Sequence, residues 1–282
     1  MSAAARRLHL SQSALSQTIQ SLERQLGAQL LVRSRTGVTT TETGAILLRE
    51  GRVLLAQYDQ VLAAVAGHDG VGPGTLRLGI PLELPAGLLP GVLAELSAAF
   101  PLTSVEVSHA SSAAQLGRLE AGQLEVALVR ECPTDPRYDA VLAVEEALGV
   151  VLAAAPADQL ADPAGIRLHR LAGLDWAGFP RAEAPAWYDQ VTGTLRAHGI
   201  SLDRQHPPGD GSLIPEVKLA AVGTGRAFAL APPGWAEPLP RGVTWQPLTG
   251  SPVVRRTWAV WPASSRRRDL AALVAALDLT TR

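Results

Sequence analysis

AAARRLHLSQSALSQTIQSLERQLG, residues 3–27, decides how the rest of the chain is read. After the turn at His9-Leu10-Ser11, the apolar residues Leu15, Ile19, Leu22 and Leu26 recur at helical spacing and form one stripe. Ser11 stands where an N-cap belongs, so the segment reads as the back half of a helix-turn-helix. The other face carries Gln12, Ser13, Ser16, Gln17, Gln20 and Arg24. These side chains can reach base edges and phosphates when a helix N-terminus enters a major groove. A helix face that only meets water more often carries Glu/Lys pairs four residues apart. This one has almost no acid.

Downstream, residues 30–41 (LLVRSRTGVTTT) hold two short β-prone runs around Thr36-Gly37, a hairpin with Arg33 and Arg35 near its tip. Residues 41–67 read as one long helix, with Thr41 as its N-cap. Leu47, Leu54, Tyr58, Val61 and Val65, with Gly51 filling one place, follow alternating steps of three and four. That is the seam of a two-helix coiled coil, expected to pair two copies of the chain.

Helix-turn-helix, basic wing and pairing helix, in that order, resemble the LysR-type transcriptional regulators. The resemblance is carried by Ala4 to Leu8, Ser11-Gln12, Ala14-Leu15-Ser16, Ile19, Leu22-Glu23, Leu26-Gly27, Leu30, Arg33 and Thr41-Glu42 with Gly44. It implies that Arg6, Arg7, Arg33 and Arg35 meet phosphates and that Gln12, Ser13, Ser16 and Gln17 read bases; Ser11, Gln20 and Arg24 complete the DNA-facing set. Members of that family usually carry one more helix, packed behind the recognition helix, before the point where this chain begins. The stripe Leu15/Ile19/Leu22 is therefore expected to lack part of its cover, which leaves DNA binding by residues 1–282 alone as a question for experiment. Smaller departures are Ser13 where Pro is frequent, Leu31 where Phe is common, and Thr39-Thr40 in place of a basic-then-Leu pair.

A length of 282 residues suggests two or three units, and 47% hydrophobic with 4% aromatic residues suits a globular α/β protein rather than disorder. No apolar run long enough to cross a membrane is present, and no signal-peptide core follows the early arginines. The lone Cys132 excludes an internal disulfide, fits a cytoplasmic location and reads as a small packed residue. Charge is unevenly spread. Residues 1–40 hold five Arg against Glu23, a balance of +4, so the remainder carries −5 to give the overall −1. A basic tip on a mildly acidic body is the footprint of a DNA-binding module joined to something else. Lys218 is the single Lys among many Arg, a skew attributed to codon composition.

GHDGVGPG, residues 67–74, is a Gly-rich linker and the clearest boundary. From Thr75 strands and helices alternate, which argues for a parallel sheet covered by helices; a second, less regular α/β unit follows. The resemblance extends to this region. It implies an effector domain of two Rossmann-like lobes, similar to periplasmic solute-binding proteins, with crossovers near 155 and 250. The expected fold is thus an N-terminal winged helix-turn-helix (all-α with a small β wing), a long linker helix, then that α/β effector domain. The expected domains are 1–43 for the DNA-binding head, 44–67 for the pairing helix, and 75–282 for the effector domain. Within it, lobe I takes 75–155 and 250–282, and lobe II takes 156–249.

In such sheets ligands sit beyond the carboxyl ends of strands, against helix N-termini. Pro81, Leu82 and Glu83 follow the first strand, Ser111 and Ser112 precede a helix, and Arg130 follows another strand. Trp176, Phe179 and Gly223 would face them from the second lobe. Hydroxyls, one cation and apolar walls suit a small organic effector, although Glu83 argues against an anionic one. Plainer readings stand beside these: a helix cap for the two serines, a pair with Glu131 or a neighbouring carboxylate for Arg130, and core for Trp176 and Phe179. No enzyme is expected, because His9, His68, His109, His169, His198 and His206 lack metal-ligand spacing and no nucleophile elbow occurs. No cofactor or metal is expected. The implied partners are double-stranded promoter DNA, a small effector, further copies of the chain (a homodimer or homotetramer) and RNA polymerase, with no membrane. The competing reading is a ligand-binding dimer whose vestigial head no longer binds DNA.

Overall fold

The computed structural model describes residues 11–34, 37–51, 54, 74–202, 214–236 and 238–279. The chain divides into two compact units, Met1–Val65 and Ala66–Arg282. In the first, helix α1 spans Gln12–Leu26. The Ser11 hydroxyl accepts the Ala14 N–H at 3.1 Å and so satisfies one of the helix's open donors. Gly27, at φ 64°, ends the helix in the left-handed conformation that glycine adopts without strain. Strands β1 (Leu31–Ser34) and β2 (Gly37–Thr40) form the antiparallel wing, in register from Leu31↔Thr40 to Ser34↔Gly37. Thr41 then caps helix α2, residues 42–51, by accepting the Gly44 N–H at 2.9 Å. At Gly44 the two elements touch closely, since a Cβ there would lie 2.1 Å from the Leu30 carbonyl oxygen.

The stripe of α1 is only partly covered. Leu15 and Leu30 are buried, Ile19 and Leu22 are half-buried, and Leu26 is 48% exposed.

The second unit is built on two sheets. The first runs in the order β4 (Thr103–His109), β3 (Gly74–Ile80), β5 (Val126–Val129), β13 (Val254–Pro262), β6 (Tyr138–Ala147). The second runs β10 (Asp175–Trp176), β11 (Ala227–Ala231), β7 (Gly149–Ala153), β12 (Val243–Gln246), while β8 (Ala161–Asp162) and β9 (Gly165–Ile166) form a separate small hairpin. The all-parallel expectation holds only for β4-β3-β5 and β10-β11; β13, β6, β7 and β12 pair antiparallel. Helices α3 (Leu88–Ala99) and α8 (Arg268–Leu279) bury Leu88, Val92, Leu96, Leu270, Leu273 and Leu277 against Leu76, Leu78, Val126 and Leu128. Helix α4 (Ser112–Glu120) places Leu119 in a cluster with Leu124, Ala127 and Val129. In the second lobe Leu152, Ile166, Leu171, Leu195 and Phe228 are fully enclosed, with α5 (Ala154–Leu160) and α6 (Pro185–Ala197) around them, while α7 (Pro215–Gly223) packs Val222 into a separate cluster with Val151, Ala177, Ala229 and Ala231. At about 1.5–3 kcal/mol per buried large apolar side chain, these two clusters supply most of the drive for the unit to fold.

One expected boundary moves. β7 belongs to the second sheet, so the first crossover falls at Leu148, not near 155. β6 and β7 make one almost continuous extended run broken at a single residue, and such a run carries no mark of a change of sheet. The return crossover lies between β12 and β13, where Leu148 N–H donates to the Val253 carbonyl at 2.9 Å and ties the two crossings together.

Candidate functional site

Two polar surfaces stand out, one in each unit. On α1, Gln12, Ser13, Gln17, Gln20 and Arg24 are exposed and Ser16 is half-buried. Ser11 is the cap described above, and its hydroxyl lies 3.0 Å from that of Ser13. The helix has one acid, Glu23, and it faces the wing: its carboxylate accepts the N–H groups of Leu30 at 2.8 Å and Leu31 at 3.2 Å. The outward face is left without negative charge. Arg33 lies in β1, but its side chain falls outside the described residues, as do Arg6, Arg7 and Arg35. Of the expected seam, Tyr58, Val61 and Val65 also lie outside them. Leu54 is 65% exposed and Leu47 half-buried, while Ile46 and Leu48 are the other large apolar residues exposed among the described residues of this stretch.

Between the lobes of the second unit lies a cleft of about 750 Å³, part of it open to solvent. Strand ends and helix starts build it. Pro81, Leu82 and Glu83 follow β3, Ser111 and Ser112 open α4, and Arg130 follows β5, while Trp176 and Phe179 come from the opposite lobe. The cleft also takes Trp187 and Val191 from α6, Lys218 from α7, Leu230 from β11 and Arg255 from β13. Trp176, Phe179 and Tyr188 meet in one cluster with ring centroids 5.8–5.9 Å apart.

Its floor is ionic. Glu83 presents one carboxylate oxygen to Lys218 Nζ and the other to Arg255 Nη1 at 2.9 Å. Arg255 also holds Glu146, with Nε and Nη2 at 3.0 and 2.9 Å from the same oxygen. Arg130 donates to the Thr257 hydroxyl and to the Leu82 and Glu83 carbonyls. A bulge between Thr257 and Trp258 shifts the β13–β6 register beside this point. Burial pushes the Glu83 carboxyl up, but Lys218 and Arg255 outweigh it and hold it below the usual carboxylate range. Burial, and then the charge of Arg255, pull the Arg130 guanidinium down to about 9. Three cations against two carboxylates leave this cluster one positive charge in surplus.

Of the nine residues expected at the cleft, eight line it and Gly223 does not. Gly223 ends α7, and the helix presents Lys218, more than one turn earlier, instead. Ser111 is the N-cap of α4, and Ser112 accepts the Arg130 N–H at 3.1 Å, so both are tied to the framework. Arg130 does not pair with Glu131, whose carboxylate accepts the Ala186 N–H instead. Trp176 is both core and wall, 3% exposed and lining the cleft. Cys132, expected to be packed, is exposed on the loop between β5 and β6. Lys218 and Arg255 went unpredicted. Among the described residues no His/Cys/Asp/Glu group could hold a metal ion, and no helix is long and apolar enough to cross a membrane.

Comparison with known proteins agrees with this division of labour. Residues 1–45 match the model of the bacterial regulatory helix-turn-helix proteins of the LysR family, and residues 69–279 match that of the LysR substrate-binding domain. The chain is 28% identical over 269 residues to the HTH-type transcriptional regulator IlvR of Caulobacter vibrioides, covering 95% of this chain and 87% of that protein. It is 36% identical over 203 residues to the SDS degradation transcriptional activation protein of a Pseudomonas species, covering 71% of this chain and 65% of that one. The crystal structure of CbnR, a LysR family transcriptional regulator, shares the fold with a TM-score of 0.72 at 22% identity, over 100% of this chain and 94% of that chain. A winged helix-turn-helix and a two-lobed cleft domain, each matched by its own family model, place this chain in the LysR family of transcriptional regulators, which are not enzymes.

Proposed function

We propose that the chain is a cytoplasmic regulator that binds promoter DNA through α1 and its wing and responds to a small organic effector held between the lobes. The observation that carries the DNA half is the outward face of α1, whose one acid is turned onto the wing backbone while Gln17, Gln20 and Arg24 stand exposed. Amides suit base edges and Arg suits phosphate or guanine, so this face can supply both readout and position. The effector half is supported by the mixed lining of the cleft, apolar and aromatic walls with a few placed polar groups, as in small-molecule sites. A ligand that binds one lobe arrangement better than another would shift the population toward it. Exposed Leu54 and the seam predicted around it support pairing of two copies, which would set the spacing of two half-sites.

Fluorescence anisotropy of the full chain on the DNA flanking its own gene, against a scrambled duplex, tests the reading. Selective binding that weakens with salt is the expected result. Binding that is weak and equal on both duplexes would instead make the chain a ligand-binding dimer with a vestigial head.

A further inference from the structure

Glu83 is held with more force than a rim residue of a ligand cleft requires. Its φ of 61° is in the left-handed region, a conformation that a non-glycine residue adopts only when its surroundings impose it. The surroundings here are explicit. Arg255 Nη2 and Arg130 Nη2 take the Glu83 carbonyl at 2.8 and 3.1 Å, and Lys218 and Arg255 take one carboxylate oxygen each. Lys218 comes from the lobe opposite Glu83, and its Nζ also lies 5.4 Å from the Trp235 ring centroid. The side chains of Glu83, Lys218 and Arg255 are only 10, 9 and 5% exposed.

A lysine and an arginine converging on two oxygens of one carboxylate form an anion seat. We infer that Glu83 is a tethered carboxylate filling that seat, so that the cleft selects ligands that are uncharged at this end and rejects carboxylates. The inference rests on the effector-cleft reading above and narrows it to a ligand class. An incoming carboxylate would have to expel Glu83 from two charge-assisted bonds and then share a buried site with it. Arg130 does not offer a second seat of this kind, because its guanidinium donates to a hydroxyl and two backbone carbonyls of the framework. What remains for a ligand is the apolar wall of Trp176, Phe179, Trp187 and Leu230, with His109 and Glu183 also lining the cleft. The fitting molecule therefore has an aromatic or aliphatic body and a neutral polar group.

Chemical rescue tests this without DNA and without knowing the effector, so its failure is separable from failure of the regulator reading. Glu83→Gly empties the seat and also relieves the left-handed backbone. The full-length native protein and the variant are melted in sodium acetate and in sodium chloride of equal ionic strength. Acetate should raise the variant's midpoint by about 3–6 °C at a concentration well above its dissociation constant and leave the native midpoint unmoved. Equal shifts in both proteins, or none in the variant, overturn the inference. Should Glu83→Gly not fold, Glu83→Ala is melted in the same two salts, and a midpoint indifferent to acetate there overturns it as well. The class is then checked with phenylacetate and its neutral analogue phenylacetamide. The native protein should prefer the amide, and Glu83→Gly should move the ratio toward the acid by roughly ten-fold or more. A native preference for phenylacetate sinks the idea.

Discussion

The exposed face of α1 and the floor of the cleft use polar side chains in opposite ways. Among the described residues Gln17, Gln20 and Arg24 hold no side-chain hydrogen bond, so their donors and acceptors are open to a partner. Glu83, Arg130, Lys218 and Arg255 spend theirs on one another and on the backbone. A surface meant for a long polyanion can leave its groups in water until contact, since hydration costs it nothing in the free state. A buried cleft cannot, because each unpaired charge there would destabilise the fold. Substitutions should therefore damage stability in the cleft and binding on the helix.

The largest expected effect is at Arg255, which bridges Glu83 and Glu146. Arg255→Ala removes the side chain that bonds both carboxylates, leaving buried Glu83 and Glu146 with Lys218 and the framework-bound Arg130, and should lower stability by about 3–5 kcal/mol. Denaturant unfolding of the full chain measures it; a change below about 1 kcal/mol, the range of a surface ion pair, would mean the floor is not structural. Gly44→Ala comes next. Its Cβ would be driven 2.1 Å from the Leu30 carbonyl oxygen, so the wing and α2 must separate, at about 1–3 kcal/mol for an overpacked site. Thermal unfolding of the full chain should lose that much, and DNA affinity should fall with it, because Leu30 joins α1 to the wing.

Acid sharpens the same contrast. Glu83 sits below its ordinary value because Lys218 and Arg255 outweigh burial; Asp269 does too, where the hydrogen bonds and charge of Arg267 outweigh burial. A carboxyl with a lowered folded value contributes stability that is fully present above its unfolded value, near 4, and lost as pH falls through the folded one. The urea midpoint should therefore drop as pH falls below about 4. Glu83→Gln and Asp269→Asn should each flatten that limb, and a limb unchanged by both would remove these pairs from the acid response.

The helix face was legible in sequence because everything that makes it is local. Ser11 and Thr41 are caps within three residues of the groups they bond, and the wing follows from one hairpin. At the cleft, the strand-end rule reached Pro81 to Glu83, Ser111, Ser112, Arg130, Trp176 and Phe179, because a strand's end is also local. It missed Arg255 and Lys218. Their contacts with Glu83 span 172 and 135 residues; the first depends on β13 inserting between β5 and β6 and the second on α7 of the opposite lobe reaching the cleft, and no periodicity announces either. Two signals were nonetheless present. Arg255 shares the buried parity of β13 with Thr257, so a charge stands on an inward position of a strand. Lys218 is the only lysine in a chain that otherwise uses arginine, and it is 7% exposed. An ammonium is a single point of charge on a flexible stem, where a planar guanidinium would demand more room and more acceptors.

The smallest effect on stability is expected on α1, and it is the sharpest test of the comparison. Gln17→Ala and Arg24→Ala remove side chains that are exposed and hold no hydrogen bond among the described residues, so each should leave the unfolding midpoint within about 0.5 kcal/mol of native. Alanine is a better helix former than glutamine, which pushes the first substitution slightly toward stability. Binding should separate the two variants. Gln17→Ala should lower the preference for the flanking DNA over the scrambled duplex, by about 1–3 kcal/mol if the amide makes a bidentate base contact. Arg24→Ala should weaken both duplexes alike and reduce the slope of log affinity against log salt by about one. If instead either substitution destabilises the fold as a cleft substitution does, the helix face is part of the framework, and the contrast between an open surface and a committed one fails.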